Sequence, residues 1–196
     1  MAQTTVGIRT VLVVGGSAGS LDPVLQIVGA LPADTDAAIV IVVHRKAGSD
    51  SILSNLLAAK TSLPVKEVED KDPVLTGHIF LAPPDYHLLF ENRNYFALDA
   101  SEKINYSRPS IDVTFESAAA AFGSTVVGVL LSGANADGAE GLAAIRNAGG
   151  LTLVQDPATA EVYYMPQQAI LLGAAGQVVH KDQLPARLAA LLRRQP

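Results

Sequence analysis

The chain has 196 residues, of which 49% are hydrophobic, a formal net charge of −5 and no cysteine. These values predict one domain over residues 1–196 with a sizeable core, and they exclude a disordered chain. The acidic balance and the scattered Lys and Arg argue against nucleic acid as a partner, and the lack of cysteine excludes disulfides and thiolate metal sites. No segment has the roughly 18 apolar residues of a membrane helix or the form of a signal peptide, so we expect a cytoplasmic protein without membrane insertion.

The first half of the chain alternates strand and helix patterns before a different middle segment. "VLVVG" is a continuous apolar run, typical of a buried parallel strand, and "SLDPVLQIVGAL" predicts a helix with Ser20 as its N-cap. Residues 37–44 predict a second buried strand, and residues 49–61 predict an amphipathic helix capped by Ser or Asp. Residues 77–98 are interrupted by two prolines and by "NRN", and we interpret them as an antiparallel β-hairpin insert.

The second half returns to alternation. Residues 110–122 predict a helix, "STVVGVLLSG" a buried strand, and "ADGAEGLAAIRNAGG" a helix that ends at its two glycines. "LTLVQD" and "GQVVH" predict strands, whereas "MPQQAILLGA" and "LPARLAALLRR" predict helices. This order predicts an α/β fold with a doubly wound, mostly parallel sheet, a Rossmann-like three-layer αβα arrangement that carries the hairpin insert.

The turn after the first strand is the first candidate for chemistry. "GGSAG" fits the nucleophile-elbow pattern G-x-S-x-G, in which a serine stands on a sharp strand-to-helix turn. A plain βα turn explains the same residues, and so does a phosphate-binding loop. The dinucleotide fingerprint fails, however, because Ser17 stands where its second glycine belongs and the second strand ends in His44 instead of an acid. No Gly-Lys-Ser or Gly-Lys-Thr follows, which excludes a Walker loop.

Two further side chains are predicted at the same edge of the sheet. His44 and Asp137 follow buried strands, and parallel strands end at a common edge, so a Ser17–His44–Asp137 triad is the favoured combination. Taken alone, His44 fits a surface histidine and Asp137 fits a helix N-cap. A rival triad of Ser17, Asp137 and His180 has the chain order of α/β-hydrolases, but it leaves His44 without a role.

The remaining histidines predict no further chemistry of their own. We interpret His78 as structural, whereas His87, which follows "APPDY", either reaches the cleft from a loop or packs inside. No His, Asp and Glu residues have convincing metal-ligand spacing, so neither a metal nor another cofactor is expected.

Six ordered segments together resemble the catalytic domain of the chemotaxis protein-glutamate methylesterases (CheB). The segments that carry this resemblance are "VVGGSAGS", "VVHRKAGSDSILSNLLA", "IFLAPPDYHLLF", "SRPSIDVTFESAA", "LSGANADGAEGLAAIRNAGG" and "VQDPATAEVYYMPQQAI". They extend over nearly the whole chain, and their order is far more specific than any one motif.

The resemblance implies a serine esterase that demethylates glutamate methyl esters on chemoreceptors and also deamidates their glutamines. Ser17 then attacks the ester, His44 transfers the proton to the leaving methanol, and Asp137 holds His44. The resemblance implies the Ala18 and Ala134 N–H groups as oxyanion donors. Arg108 and His87 are further candidates for substrate contacts. The implied partner is the cytoplasmic helical region of a methyl-accepting receptor.

The chain departs from the family pattern near the implied cleft. Ser20 replaces a usual glycine, Arg45-Lys46 a usual Met-Pro, and Tyr164 a glycine before Met-Pro. In the acid segment, Ala134 and Asn135 replace Met and Gly. The receiver domain of many members is missing ahead of the first strand, so we expect a stand-alone domain or a fragment without internal phospho-gating. The alternatives are a hydrolase of another ester and a catalytically weak binding module.

Overall fold

Nine strands form two sheets in the residues that the computed structural model describes, which are 8–45 and 50–193. The strands are β1 (Val11–Gly16), β2 (Ala38–Val43), β3 (Val65–Glu67), β4 (Ile79–Leu81), β5 (His87–Phe90), β6 (Phe96–Asp99), β7 (Val126–Leu130), β8 (Leu151–Gln155) and β9 (Gln177–Val179). The main sheet is parallel throughout, in the order β3-β4-β2-β1-β7-β8-β9, whereas β5 and β6 pair antiparallel as a separate hairpin. The most central strand, β1, therefore lies between β2 and β7.

Helices cover both faces of the main sheet. They are α1 (Leu21–Ala30), α2 (Asp50–Ala58), α3 (Ile111–Phe122), α4 (Ala139–Asn147), α5 (Tyr164–Leu171) and α6 (Leu184–Leu192). One apolar cluster packs α3, α4, α5 and the hairpin on one face, and a second packs α1, α2 and α6 on the other. The predicted doubly wound α/β sheet with a hairpin insert is thus confirmed.

The apolar runs of the central strands follow from this double cover. Val11 and Val13 of β1 lie in the first cluster, whereas Leu12 and Val14 lie in the second. All four are at most 1% exposed. A strand buried on both faces has no polar side, so its sequence is a continuous apolar run instead of an alternating one.

The middle of the chain differs from the prediction in two strands. The predicted hairpin of residues 77–98 is too wide, because β4 pairs in parallel with β2 and belongs to the main sheet. The hairpin itself is β5 and β6, which begin after the Pro-Pro break. The edge strand β3 was not predicted, because three residues with a lysine at their centre give no apolar pattern.

The register of the sheet places three chain segments together. Gly16 at the end of β1 pairs with Val43 of β2, and Gly15 pairs with Leu130 of β7. The residues that follow these three strands therefore leave the sheet side by side, at its carboxyl edge.

Candidate active site

Ser17 leaves β1 on a sharp turn that backbone hydrogen bonds hold in place. Its N–H donates to the carbonyl of Ser132, just after β7, over 2.9 Å. Its own carbonyl accepts the Ser20 N–H at 3.0 Å and the Ser20 hydroxyl at 2.6 Å. The side chain of Ser17 remains partly exposed. The turn therefore presents the serine at the carboxyl edge of the sheet.

Ser20 stands at the predicted N-cap position of α1, but its side chain makes no capping hydrogen bond. The hydroxyl turns back to the Ser17 carbonyl instead, and the residue is fully buried. Ser20 thus closes the serine turn, which corrects the prediction of a side-chain N-cap.

Two glycines of the turn have physical reasons to be glycine. A Cβ on Gly16 would lie 2.5 Å from the Ser20 Cβ, closer than real Cβ atoms approach. Gly19 has a φ of +76°, a left-handed conformation that costs other residues energy. A Cβ on Gly19 would also lie 2.6 Å from the Cβ of Glu161. The turn therefore accepts no larger residue at either position without rearrangement.

His44 and Asp137 meet at this edge. The backbone N–H of His44 donates to the Gly16 carbonyl at 3.2 Å, which places the histidine beside the serine turn. Its Nε2 lies 2.7 Å from Asp137 Oδ2, with the imidazole 13% exposed and the carboxylate completely buried. Because a carboxylate has no hydrogen to give, Nε2 carries the proton and Nδ1 is the basic nitrogen of the neutral ring.

Asp137 is surrounded by hydrogen-bond donors from the start of α3. Its Oδ1 accepts the Ser110 hydroxyl at 2.8 Å and the Asp112 N–H at 3.0 Å, and its Oδ2 accepts the Ile111 N–H at 2.7 Å. Burial alone would raise the pKa of the Asp137 carboxyl, but the His44 hydrogen bond and these backbone N–H groups lower it below its usual value. The group is therefore ionised at neutral pH and caps α3, not its own helix.

The basic nitrogen of His44 faces a second serine. Ser107 Oγ lies 3.3 Å from His44 Nδ1, and it also lies 3.3 Å from the Asn105 carbonyl. Within residues 8–45 and 50–193, the Ser17 hydroxyl makes no hydrogen bond. The structure thus forms the His44–Asp137 half of the predicted line, while the Ser17–His44 half is not made.

Asn135 connects the acid segment to the turn that carries Ser107. Its Nδ2 donates to the Asn105 carbonyl at 3.2 Å and to Ser107 Oγ at 3.3 Å. Its Oδ1 accepts the Asp137 N–H at 3.1 Å. This departure from the family pattern therefore ties residues 104–107 to the loop that bears the carboxylate.

Ala18 follows Ser17, and Ala134 lies two residues after Ser132, whose carbonyl accepts the Ser17 N–H. Ala18 and Ala134 are exposed, and their N–H groups donate to no acceptor in the described part of the chain. The Ala18 N–H belongs to the same peptide group as the Ser17 carbonyl, which the N–H and the hydroxyl of Ser20 hold in place. Free, fixed N–H groups are what an oxyanion site requires.

A groove of about 440 Å³ opens over His44. Arg108 lines it and donates to the carbonyls of Ala100 and Ser101 at 2.9 and 2.8 Å. The groove is further lined by Arg45, Asp85, Lys103, Tyr106 and Ser107. Arg45 is paired with Glu67, so Lys103 and Arg108, offset in part by Asp85, are the cationic side chains that favour an acidic ligand surface.

His87 lies inside the protein. It is 1% exposed, its Nε2 lies 2.9 Å from the Glu102 carbonyl, and its Nδ1 accepts the Ser110 N–H at 3.1 Å. Both ring nitrogens are therefore engaged, and of its two predicted roles the structure supports packing. By holding Ser110, His87 steadies the start of α3 beneath Asp137.

The other departures take different positions around the cleft. Arg45 is paired with Glu67 and also donates to the Ala82 carbonyl at 3.0 Å. Tyr164 begins α5 and is 44% exposed. Lys46 and the predicted cap Ser49 lie outside the described residues.

The rival histidine is remote. His180 follows β9, which lies three strands from β1, a separation of roughly 14 Å. Its side chain is 48% exposed and its Nδ1 lies 3.6 Å from Asp182. The structure therefore does not assemble Ser17, Asp137 and His180.

Sequence reasoning missed two polar residues of the site. Ser107 had no local signal, because it lies 63 residues from His44 along the chain and only the fold brings the two side chains together. Asp112 stood in the quoted "RPSID" segment without a role, although its carboxylate accepts the Gly138 and Gly141 N–H groups at 2.9 and 2.7 Å. An acid in the first turn of the helix predicted over residues 110–122 was the available signal for Asp112.

Residues 8–45 and 50–193 contain neither a membrane-spanning helix nor a metal-binding cluster. No helix there is long and apolar enough to cross a membrane. No group of three His, Cys, Asp or Glu side chains there is arranged to hold a metal ion.

Comparison with known proteins gives concordant matches. The family model for CheB methylesterase matches residues 12–188. A putative protein-glutamate methylesterase/protein-glutamine glutaminase of Leptospira interrogans is 43% identical over 173 residues, 88% of this chain and 90% of the relative. A protein-glutamate methylesterase/protein-glutamine glutaminase of Bordetella bronchiseptica is 40% identical over 90% of this chain, which spans 51% of that relative.

A solved structure matches the fold as well. The crystal structure of the Thermotoga maritima CheB methylesterase catalytic domain superimposes with a TM-score of 0.88 at 34% sequence identity. The match covers 93% of this chain and 98% of that domain. The likeness therefore extends over nearly the whole of this chain.

Proposed function

We propose a serine mechanism of glutamate methyl ester hydrolysis for this chain, which belongs to the CheB methylesterase family. The observation that carries the proposal is the His44–Asp137 hydrogen bond of 2.7 Å beside the serine turn of the neighbouring strand. The enzyme is a hydrolase, and its substrate is a methylated glutamate on the cytoplasmic helices of a chemoreceptor. Its relatives are also named glutaminases, so receptor glutamine is the second substrate.

We assign the bond changes to the three predicted catalytic side chains. Ser17 Oγ attacks the ester carbonyl while its proton passes to His44 Nδ1, the nitrogen that faces away from Asp137. The C–O bond to methoxide then breaks, and His44 returns the proton to the leaving methanol. Water attacks the acyl-enzyme by the same route and releases the glutamate carboxylate. With glutamine the C–N bond breaks instead, and ammonia leaves.

Asp137 and the backbone supply the electrostatic part of the mechanism. The buried carboxylate holds the ring with its proton on Nε2 and stabilises the imidazolium that forms at each transfer. The N–H groups of Ala18 and Ala134 stabilise the oxyanion of the tetrahedral intermediate. Ser107 gives up its contact with His44 Nδ1 when the Ser17 hydroxyl engages that nitrogen.

The side chains of the groove over His44 favour a protein substrate that carries acidic side chains near its methyl ester. Lys103 is exposed at its wall, and Arg108 lines the same space. Tyr106, 96% exposed at the rim, offers a flat apolar surface to a docking helix. Long-range attraction between these cations and receptor carboxylates would speed association at low salt.

The test is methanol release from a methylated receptor fragment by the wild type and by Ser17→Ala. We expect the variant to lose at least about 10³-fold in kcat/KM, because the nucleophile is removed. Ser124→Ala is the matched control, since Ser124 is exposed before β7, at the opposite edge of the sheet. This control should keep the wild-type rate.

Two outcomes would contradict the proposal in different ways. Equal methanol release by the wild type and Ser17→Ala would exclude the serine mechanism. If the wild type hydrolyses small esters but not the receptor ester, the serine mechanism stands and the proposed substrate is wrong. Stoichiometric labelling of Ser17 by a fluorophosphonate, absent in Ser17→Ala, separates an inert site from an active one.

A further inference from the structure

Two helices exchange their N-terminal caps beneath the His44–Asp137 pair. Asp137 precedes α4, yet its carboxylate accepts the N–H groups of Ile111 and Asp112 at the start of α3. Asp112 lies in the first turn of α3, yet its Oδ1 accepts the N–H groups of Gly138 and Gly141 at the start of α4, at 2.9 and 2.7 Å. Each carboxylate therefore caps the helix of the other.

Asp112 also connects this cross-cap to the turn over His44. Its Oδ2 accepts Asn105 Nδ2 at 3.1 Å, and Asn105 in turn accepts Asn135 through its carbonyl. Asp112 is 6% exposed and Asp137 is fully buried. Two carboxylates thus share one buried site, although the proposed mechanism employs only one of them.

We propose that Asp112 is a positioning residue whose protonation sets how strongly the His44–Asp137 pair holds a proton. This inference rests on the proposed function of His44 as the general base. The cross-cap fixes the Asp137 carboxylate in line with the imidazole. When Asp112 ionises, a second negative charge lies behind Asp137 and stabilises the imidazolium further.

The groups that face Asp112 make it the variable member of the cluster. Asp137 faces it from the acid segment and carries the His44 hydrogen bond, Asn105 faces it from the turn, and α4 presents two backbone N–H groups. The other acids of α3 and α4, Glu116 and Glu140, are exposed to solvent. Burial, together with the charge of Asp137, raises the pKa of the Asp112 carboxyl to about 7, against the pull of the Gly141 and Gly138 N–H groups.

The experiment measures the His44 imidazole pKa by NMR and the pH profile of kcat/KM in the wild type and in Asp112→Asn. The asparagine keeps an oxygen for the two α4 N–H groups and removes the charge. We expect the pKa of His44 to fall by about half a unit or more, because one nearby anion is lost. The rates should coincide at acidic pH, where Asp112 is protonated in the wild type. Above neutral pH the variant should be several-fold slower.

The matched control is Asp22→Asn. Asp22 is also an acid in the first turn of a helix, and its carboxylate accepts Gln26 Nε2 at 2.8 Å on the exposed side of α1. It should leave the His44 pKa and the rate profile unchanged. A purely structural role of Asp112 would instead lower the rate by the same factor at every pH and leave the pKa of His44 in place, and this outcome would overturn the inference.

A second variant covers the case in which Asp112→Asn does not fold. Asn105→Gly retains the left-handed backbone of residue 105, whose φ is +50°, and removes the donor to Asp112 Oδ2. We expect the pKa of Asp112 to rise. NMR detects this rise when the second inflection in the pH titration curve of the His44 signals moves to higher pH. An unchanged inflection would contradict the inference. The NMR measurement needs no substrate, so an inactive wild type would reject the proposed function without deciding on Asp112.

Discussion

At the scale of single residues, the serine turn depends on close packing more than on flexibility. Ser20 is buried, and its hydroxyl donates to the Ser17 carbonyl at 2.6 Å. The space that this hydroxyl takes is the space that a Cβ on Gly16 would need, since that Cβ would lie 2.7 Å from Ser20 Oγ. Glycine at 16 and serine at 20 are therefore a matched pair.

This pairing predicts a rescue by double mutation. Gly16→Ala should destabilise the wild type by about 1–3 kcal/mol, because the new methyl group overlaps Ser20. Ser20→Gly alone should cost about 1 kcal/mol, the net value of one hydrogen bond. In the Ser20→Gly background, Gly16→Ala should cost clearly less than in the wild type. Urea unfolding of the four proteins measures this coupling, and strictly additive costs would mean that the two side chains do not compete for space.

At the scale of secondary-structure elements, much of the fold follows from apolar runs. The sheet was predicted because central strands buried on both faces contain unbroken apolar residues. Short strands were harder: β4 was assigned to the hairpin, because three apolar residues do not reveal whether their partner is parallel or antiparallel. The edge strand β3 is also three residues long and carries a lysine at its centre, so it left no signal.

The site was predictable to the extent that strand ends share an edge. Ser17, His44 and Asp137 each follow a predicted strand, so their neighbourhood could be inferred before the structure. The contacts of Ser107 and Asp112 could not, because they depend on how a turn and a helix start meet loops distant in sequence. The half of the triad that the structure leaves open, from Ser17 to His44, stays a prediction.

Replacing glycine by alanine should have opposite effects at two helical positions, namely Gly141, where α4 approaches α3 closely, and Gly29 of α1. A Cβ on Gly141 of α4 would lie 2.8 Å from the Asp112 carbonyl and 2.9 Å from its Cα, and backbone atoms of a packed helix do not yield easily. Gly141→Ala should therefore destabilise by about 1–3 kcal/mol, despite the better helix propensity of alanine. Thermal or urea unfolding measures the change.

Gly29 is the matched control in α1. Its nearest neighbour would be the Lys60 carbonyl at 3.6 Å, an ordinary contact. Gly29→Ala should stabilise by up to about 1 kcal/mol through helix propensity alone. If both substitutions stabilise the protein, the two helices are less closely packed at Gly141 than the structure indicates.

At the scale of the whole molecule, the buried carboxylates connect the site to stability. Asp137 has a lowered pKa, so it stabilises the fold above its unfolded pKa, and this contribution is lost as the pH falls through its folded pKa. Asp112 acts in the opposite direction, because its folded pKa of about 7 lies above the ordinary value of 3.8. As the pH rises, Asp137 and Asp112 therefore change the free energy of unfolding of the domain in opposite directions.

The sign for Asp112 gives a prediction for the free energy of unfolding. Between the ordinary carboxyl pKa of 3.8 and the folded value of about 7, folded Asp112 keeps a proton that the unfolded chain releases. Its favourable contribution is complete below pH 3.8 and is lost as the pH rises through about 7. The amide introduced by Asp112→Asn does not titrate, so the wild type should lose about 1–3 kcal/mol relative to this variant over the same range.

Urea unfolding at a series of pH values in that range measures both curves, and their difference isolates Asp112 from all other titrating groups. If the difference in the free energy of unfolding grows with pH in favour of the variant, the folded protein favours protonated Asp112 over ionised Asp112. Parallel curves with a constant offset would mean that Asp112 ionises as easily in the folded protein as in the unfolded chain. In that case the charge of Asp112 would already be present well below neutral pH, and its protonation would not vary the hold on His44 near pH 7.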